Sequence, residues 1–557
     1  MVDLVIEAET ILTLDRERPR AQRMGLKKGR IIGFDEQLDG FDLRNTPVAS
    51  HPRRTIVPGF IDAHCHTTWW GLGLNGIPVG EARGLDELYD MLRDAVAGLG
   101  EGEWVYGIGF SEMHHDGQMP DLAVVDEITG EHPMYIRNLS GHASLTNTAT
   151  LRMVGAFEDD FEPPEGGVVV RDADGNYTGL VEETAQGLLQ EMILPYSHEQ
   201  IVAALDSATR EYAAQGITSF TEAGVGGGWI GHSPVEVAAY QLAADRGRLH
   251  ARAQLMPALD ALDHIEGADA DYFGHGSASG LSLGLRTGFG NDQVGFGPVK
   301  VFTDGSLLGR TASVTESFCG HNHNLGYLLT SPEELHERVG QAYRAGWNLA
   351  IHAIGDAAID VALDLIEQCQ EQFGLRAAPN RIEHFGISRP DQIERAARLN
   401  VAVTPQHGFI HLFGAAMVER VGEHRRELLY RGRSLVDAGV IVAGSSDSPV
   451  CDVNVRRAMQ AAVDRVSEDG SVIGESEGFT REQALRLYTE WGAIATGTIA
   501  DRGTLSVGKL GDFVVLDASP LEAERLDELR VEATYMGGVV THEVVESTTE
   551  KPATIAI

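Results

Sequence analysis

Eight apolar, β-rich runs recur through the middle of this chain, and a stretch with helical patterning follows each of them. They are TIVPGFIDAH (55–64), GITSFTEAG (216–224), LHARAQLM (249–256), GPVKVFTDG (297–305), WNLAIHAIG (347–355), NRIEHFG (380–386), NVAVTPQHG (400–408) and GVIVAGSSD (439–447). Runs this apolar bury both faces of a strand, and parallel neighbours need a crossover helix between them. Eight such units in succession predict an α/β fold of the (β/α)8 TIM-barrel type. The intervening segments agree: in SPEELHERVGQAYRAGW (331–347), Ser331 is placed to cap a helix that carries Pro332 at its first position.

The flanks have a different character. DLVIEAETILTLD and RMGLKKGRIIGFDE lie within residues 1–57, and GTLSVGKLGDFVVLDASP and VEATYMGGVVTHEVV within 500–546. Short β runs broken by glycine turns at both ends are expected to pair into one small β domain around the barrel segment 58–499, with a loosely ordered tail at 547–557. The distance from the first barrel run to the second exceeds one crossover helix. An insertion is therefore expected at about 71–200, rising from the carboxyl end of the first strand over the mouth where substrate enters.

Charge narrows the class of partner. Against 44 basic residues stand 82 acidic ones, a formal charge of −38, which repels nucleic acid and anionic membrane alike. Only five lysines occur (Lys27, Lys28, Lys300, Lys509 and Lys551), and scarce lysine with excess acid is read as adaptation to a high-salt cytoplasm. The first residues lack a basic segment followed by an apolar one, no apolar run has membrane-spanning length, and the four cysteines form no CxxC pair. A soluble cytoplasmic protein acting on a small molecule is expected.

Ionisable residues cluster at the ends of the predicted strands. His64 and His66 in DAHCHTTWW stand at i and i+2, so both imidazoles face one side and Cys65 the other. His321 and His323 share the spacing but lie among glycine and asparagine, and are read as loop residues. His352, His384 and Asp447 each close a separate run, and residues at several barrel strand ends converge on one axial site. Four imidazoles and one carboxylate suit a divalent metal, zinc first, with iron, manganese or nickel as alternatives. Lys300 stands near the end of the fourth run in a chain that avoids lysine elsewhere. Burial beside cations can strip its proton, and the free amine can take up CO2 as a carbamate, a bridging carboxylate that arginine cannot supply. The competing reading is an ion pair between Lys300 and Asp304.

The motifs PGFIDAHCH (58–66), GITSFTEAG, VKVFTDGSLLGRTA, AIHAIGD, RIEHFG, GSSDSPV and the closing GTLSVGKLGDFVVLD together resemble the amidohydrolase superfamily. The branch they resemble is amidohydrolase family 3, that of YtcJ-like and N-substituted formamide deformylase-like proteins. The resemblance implies a metal-dependent hydrolase of non-peptide carbon–nitrogen bonds, a small β-sandwich from both termini, and a homodimer as an ordinary state. It implies one or two ions, with His64 and His66 on one metal, His352 and His384 on the other, carboxylated Lys300 between them, and Asp447 as ligand and proton shuttle to a metal-activated hydroxide. It further implies that His142 reaches the substrate carbonyl. Phe385–Gly386 and GSLLGR depart from the usual pattern and bear on the substrate.

Two more residues are candidates for substrate contact: Trp69 as an apolar wall beside Trp70, and Arg310 as a clamp for an anionic group. Two alternatives stand beside the amidohydrolase reading. A mononuclear ring deaminase would want a glutamate where this chain has Gly355, and a metal-free scaffold relative would have no use for so many converging ionisable groups.

Overall fold

Apolar β-branched runs pair in parallel here because helices shield them, and each run takes as neighbour the next run in chain order. The structure is a computed structural model that describes residues 2–544 apart from 112–114, 116, 139–142, 165–166, 228–229, 266–270 and 272–277. The expectations for His142 and for the tail 547–557 fall outside the described residues.

One parallel sheet orders the strands Val294–Phe296, Arg252–Pro257, Ile217–Val225 and Phe60–Cys65, and a second orders Val299–Phe302, Leu349–Ala353, Arg381–His384 and Ala402–Thr404. Hydrogen bonds join them at both sides. Ala258 pairs in parallel with Lys300, Val403 pairs with Val442, and the Ala63 N–H donates to the Gly444 carbonyl at 3.1 Å. This mixed α/β arrangement is consistent with a TIM-barrel-type fold. The helix Pro332–Arg344 starts where Ser331 Oγ accepts the Glu334 N–H at 3.3 Å, with proline at the first turn.

Two of the runs differ from their sequence reading. Gly59 divides 55–64, so that Val48–Pro58 joins the terminal sheet and only Phe60–Cys65 joins the parallel one. A Cβ on Gly59 would lie 2.1 Å from Thr218 Oγ1, and the close approach lets the chain pass from one sheet to the other. The last run, 439–447, forms one isolated bridge instead of a regular strand. Its backbone also exchanges hydrogen bonds with the first strand, and Asp447 adopts φ 57°.

Both chain ends contribute to a single seven-stranded sheet in the order Val539–Glu543, Val531–Met536, Phe513–Leu516, Val48–Pro58, Leu4–Leu12, Arg20–Lys27 and Arg30–Phe34. Its hairpins turn at Lys28–Gly29 and Gly537–Gly538, where all four residues have positive φ, the geometry that matches the strand twist. Residues 105–183 form a five-stranded sheet between the first two parallel strands. No helix among the described residues is long and apolar enough to cross a membrane.

Candidate metal centre

The centre is assembled from the carboxyl ends of the parallel strands. His64 and His66 leave the strand Phe60–Cys65, and the Sγ of Cys65 turns the other way, towards Thr67 Oγ1 and the Thr221 carbonyl. Asp447 Oδ1 lies 3.2 Å from His64 Nε2 and 3.1 Å from His66 Nε2. Donor atoms of His64, His66 and Asp447 all fall within 4.8 Å of one another, and all three residues are buried. Ligands sharing one tetrahedral ion at about 2.1 Å stand about 3.4 Å apart, so this spacing fits a zinc-type ion.

The outer contacts decide which nitrogen faces inward. His64 Nδ1 is hydrogen-bonded to Glu383 Oε2, which leaves Nε2 for the cluster. Glu383 is held in turn by Arg381 Nε at 2.9 Å and by the Thr404 hydroxyl at 2.7 Å. A carboxylate behind a histidine fixes its tautomer and raises its basicity, the usual support for a metal ligand. His384 Nδ1 is engaged by Gln406 Oε1 at 2.7 Å, and its ring lies 5.0 Å from that of His64 and 4.4 Å from that of His352. Side chains alternate along a strand, so adjacent Glu383 and His384 should face opposite ways; a φ of 70° at His384 breaks the alternation and lets both serve the centre.

Lys300 is 1 % exposed, and its Nζ lies 3.3 Å from His64 Nε2. The alternative ion pair with Asp304 does not form. Asp304 instead accepts the backbone N–H groups of Ser313 (2.9 Å), Ile354 (3.1 Å) and Gly355 (2.9 Å), bracing the loops that follow two strands. His352 packs edge-on against His384 but directs Nε2 at the Gly305 carbonyl, 3.0 Å away, with Asp304 Oδ1 at 3.4 Å. Gly355 has no room for the deaminase glutamate, since a Cβ there would lie 1.8 Å from the Ser313 carbonyl oxygen.

Burial and charge set the protonation states. Burial lowers the Lys300 ammonium to about 8, with Glu383 and Asp447 opposing the change. It also lowers His66 to about 4 and His384 well below the usual imidazole range. For Asp447, burial acts upwards, but hydrogen bonds from His64 and His66 outweigh it and hold the carboxyl well below the usual range. The result is that His66 and His384 are neutral and face the ionised carboxylate of Asp447, the states in which imidazole and carboxylate bind metal.

Of the residues expected at the substrate, Trp69 lies 5.9 Å from the His66 ring. Arg310 has a buried Nε without a partner, and no contact among the described residues brings it to the histidine cluster. The residues that sequence reading missed are Glu383, Arg381, Gln406 and Asp62. Asp62 accepts the backbone N–H of His64 at 3.2 Å and that of Ser446 at 3.1 Å, tying the first strand to the Asp447 loop. Charged residues at i and i+2 inside a buried run, as in RIE, were the available signal for Arg381 and Glu383.

Behind the first strand, Glu222 accepts the Thr67 N–H at 2.7 Å, and burial with the nearby Glu236 pushes its carboxyl up to about 8 from 4.5. The folded state therefore holds a proton that the unfolded state releases, and stability falls as pH rises from about 4.5 through about 8. Glu222→Gln is neutral throughout and should remove this slope, gaining about 1–3 kcal/mol above that window. Urea unfolding at pH 5 and pH 9 measures it, and an unchanged slope would show Glu222 to be ionised.

A parallel α/β fold with His, Asp and Lys side chains converging at its strand ends presents a candidate metal centre of the kind metal-dependent hydrolases use. The chain belongs to the amidohydrolase family, whose sequence pattern it matches over residues 54–542. It is 26 % identical over 544 residues to YtcJ of Bacillus subtilis, covering 96 % of this chain and 98 % of that one. It is 28 % identical over 555 residues to the N-substituted formamide deformylase of Arthrobacter pascens, covering 98 % and 99 %. The crystal structure of a metal-dependent hydrolase from Pyrococcus horikoshii shares the fold, with a TM-score of 0.75, 24 % identity and coverage of 94 % and 98 %.

Proposed function

We propose that this protein hydrolyses a non-peptide carbon–nitrogen bond in a small amide, of the N-substituted formamide kind, at a divalent metal held by His64, His66 and Asp447. The observation that carries this reading is the approach of His64 Nε2 and His66 Nε2 to one oxygen of Asp447, with Glu383 fixing His64 from behind. His384, His352 and Lys300 would complete the site for a second ion. The two parallel sheets and the bridges between them support a (β/α)8 barrel closed by the run 439–447, with residues 71–200 as the insertion. Full-length similarity to a formamide deformylase supports the bond type.

When bound, zinc or a similar ion supplies a nucleophile from water near neutral pH and draws electrons from the carbonyl. The chain does the rest. Asp447, ionised and hydrogen-bonded to two imidazoles, accepts the proton of the attacking water and returns it to the departing amine nitrogen. Trp69 beside His66 walls the pocket against bulk solvent. Lys300, with its ammonium lowered to about 8, is the residue able to release a proton and form a carbamate with CO2, the amine nitrogen bonding to carbon as one proton leaves.

Metal analysis and a hydrolysis panel of N-substituted formamides, N-acyl amines and N-acyl amino acids on zinc- and manganese-loaded protein test the reading. Chelation should abolish turnover and readdition should restore it. Absence of any stoichiometric metal would remove the reading. Lys300→Arg is expected to hold less than half the parent's metal, because a guanidinium stays protonated beside His64 and cannot carry a carbamate. Equal metal content in that variant would exclude Lys300 as a ligand.

A further inference from the structure

Among the described residues, no carboxylate forms an ion pair with Arg137. It lies in the strand Met134–Asn138 of the five-stranded sheet, with its guanidinium carbon 3.9 Å from the centroid of the Trp69 ring. Trp69 is in turn in contact with the His66 ring at 5.9 Å, so two aromatic contacts in series connect Arg137 to the metal centre. Its Nε is buried without a partner among the described residues. The contrast within the chain is sharp: acidic residues outnumber basic ones 82 to 44, and Arg389 alone pairs with Asp356, Asp360 and Asp391. Tyr106 and Tyr196 both feel the Arg137 charge. Burial pushes Tyr106 up to about 12 and Tyr196 higher still, so both are neutral and neither offsets the cation.

A guanidinium held 3.9 Å over an indole by cation–π attraction has limited freedom to swing away, and its N–H donors at the planar rim can still reach a ligand. A planar fork held in this way matches a carboxylate with two parallel hydrogen bonds. We infer that Arg137 reads a carboxylate on the substrate, so that the amide brought to His64, His66 and Asp447 belongs to a molecule bearing an anionic group on the Trp69 side of the site. This inference rests on the hydrolase reading for the word substrate. The anion site itself depends only on the Arg137 and Trp69 geometry.

The test uses a matched pair, N-formylbenzylamine and N-formyl-4-(aminomethyl)benzoate, on the metal-loaded full chain. The parent should favour the carboxylate in kcat/KM by about tenfold or more, the scale of one charge-assisted pair. In Arg137→Met, which keeps an apolar stem on Trp69, the ratio should fall to near one, and Arg137→Lys should restore part of it. Calorimetry on metal-free protein gives a second readout: 4-(aminomethyl)benzoate should bind the parent and lose at least tenfold in affinity to Arg137→Met. A ratio near one in the parent, or a ratio and affinity that Arg137→Met leaves unmoved, would overturn the inference. If neither amide is cleaved but carboxylate binding still requires Arg137, the anion site stands and the hydrolase reading falls. If binding is also absent, both fall.

Discussion

Asp447→Asn is expected to retain its metal and to lose turnover by about 10²–10⁴-fold, the range that a positioned proton-transfer group contributes. The substitution is close to isosteric. The amide oxygen of asparagine can still accept from His64 and His66, which approach Asp447 Oδ1 at 3.2 and 3.1 Å. Residue 447 has a φ of 57°, a conformation asparagine tolerates well, and its backbone N–H to the His64 carbonyl (2.8 Å) is untouched. What asparagine cannot do is take a proton from water and return it to a leaving amine. Metal content by mass spectrometry, read beside single-turnover rates, separates the two roles. A variant with full metal and parental rates would mean that another group moves the proton.

Glu383→Ala should cost about 3–5 kcal/mol of stability, the usual penalty for leaving one partner of a buried pair uncompensated. Arg381 and Glu383 are both 0 % exposed. With the carboxylate removed, the guanidinium would keep only the Ala63 carbonyl at 3.1 Å and the Met256 sulfur at 3.4 Å. His64 would lose its Nδ1 partner in the same step, and weakening of metal affinity by about 10–100-fold should accompany the loss of stability. The sign of the pH dependence follows from the charges. Burial raises the Glu383 carboxyl, but Arg381 and His64 overcome it and hold the group far below 4.5, so its contribution is present above that pH and lost as pH falls. Glu383→Gln should therefore be most destabilised at neutral pH, and its deficit should shrink in acid. Chemical denaturation from pH 7 down to pH 3 measures the trend, and a deficit independent of pH would show that Glu383 acts by shape alone.

Much of the centre was legible because its donors lie in local patterns. His64 and His66 share a face at i and i+2, and His384 and Asp447 close apolar runs of their own, so periodicity alone marked them. Glu383 was harder to read. It stands next to His384, and strict alternation would send one of the two away from the centre; the positive φ that resolves the conflict is not written in residue type. The eighth run shows the same limit, since its β-rich composition led to a strand where the chain makes only one bridge and then turns to present Asp447. Arg137 gave no signal at all. It reads as an ordinary strand charge until the fold lays it on Trp69, a residue from a distant helix.

By itself the sequence determined the chemistry of the donors and the alternation of apolar runs with helices, because side-chain type and periodicity are properties of neighbours along the chain. Tertiary structure alone decided that Glu383 stands behind Nδ1 of His64 and that Arg137 comes over the Trp69 ring. Those outcomes depend on hydrogen bonds and Coulomb forces acting across a few ångströms between residues of different chain segments, and no local pattern encodes such distances.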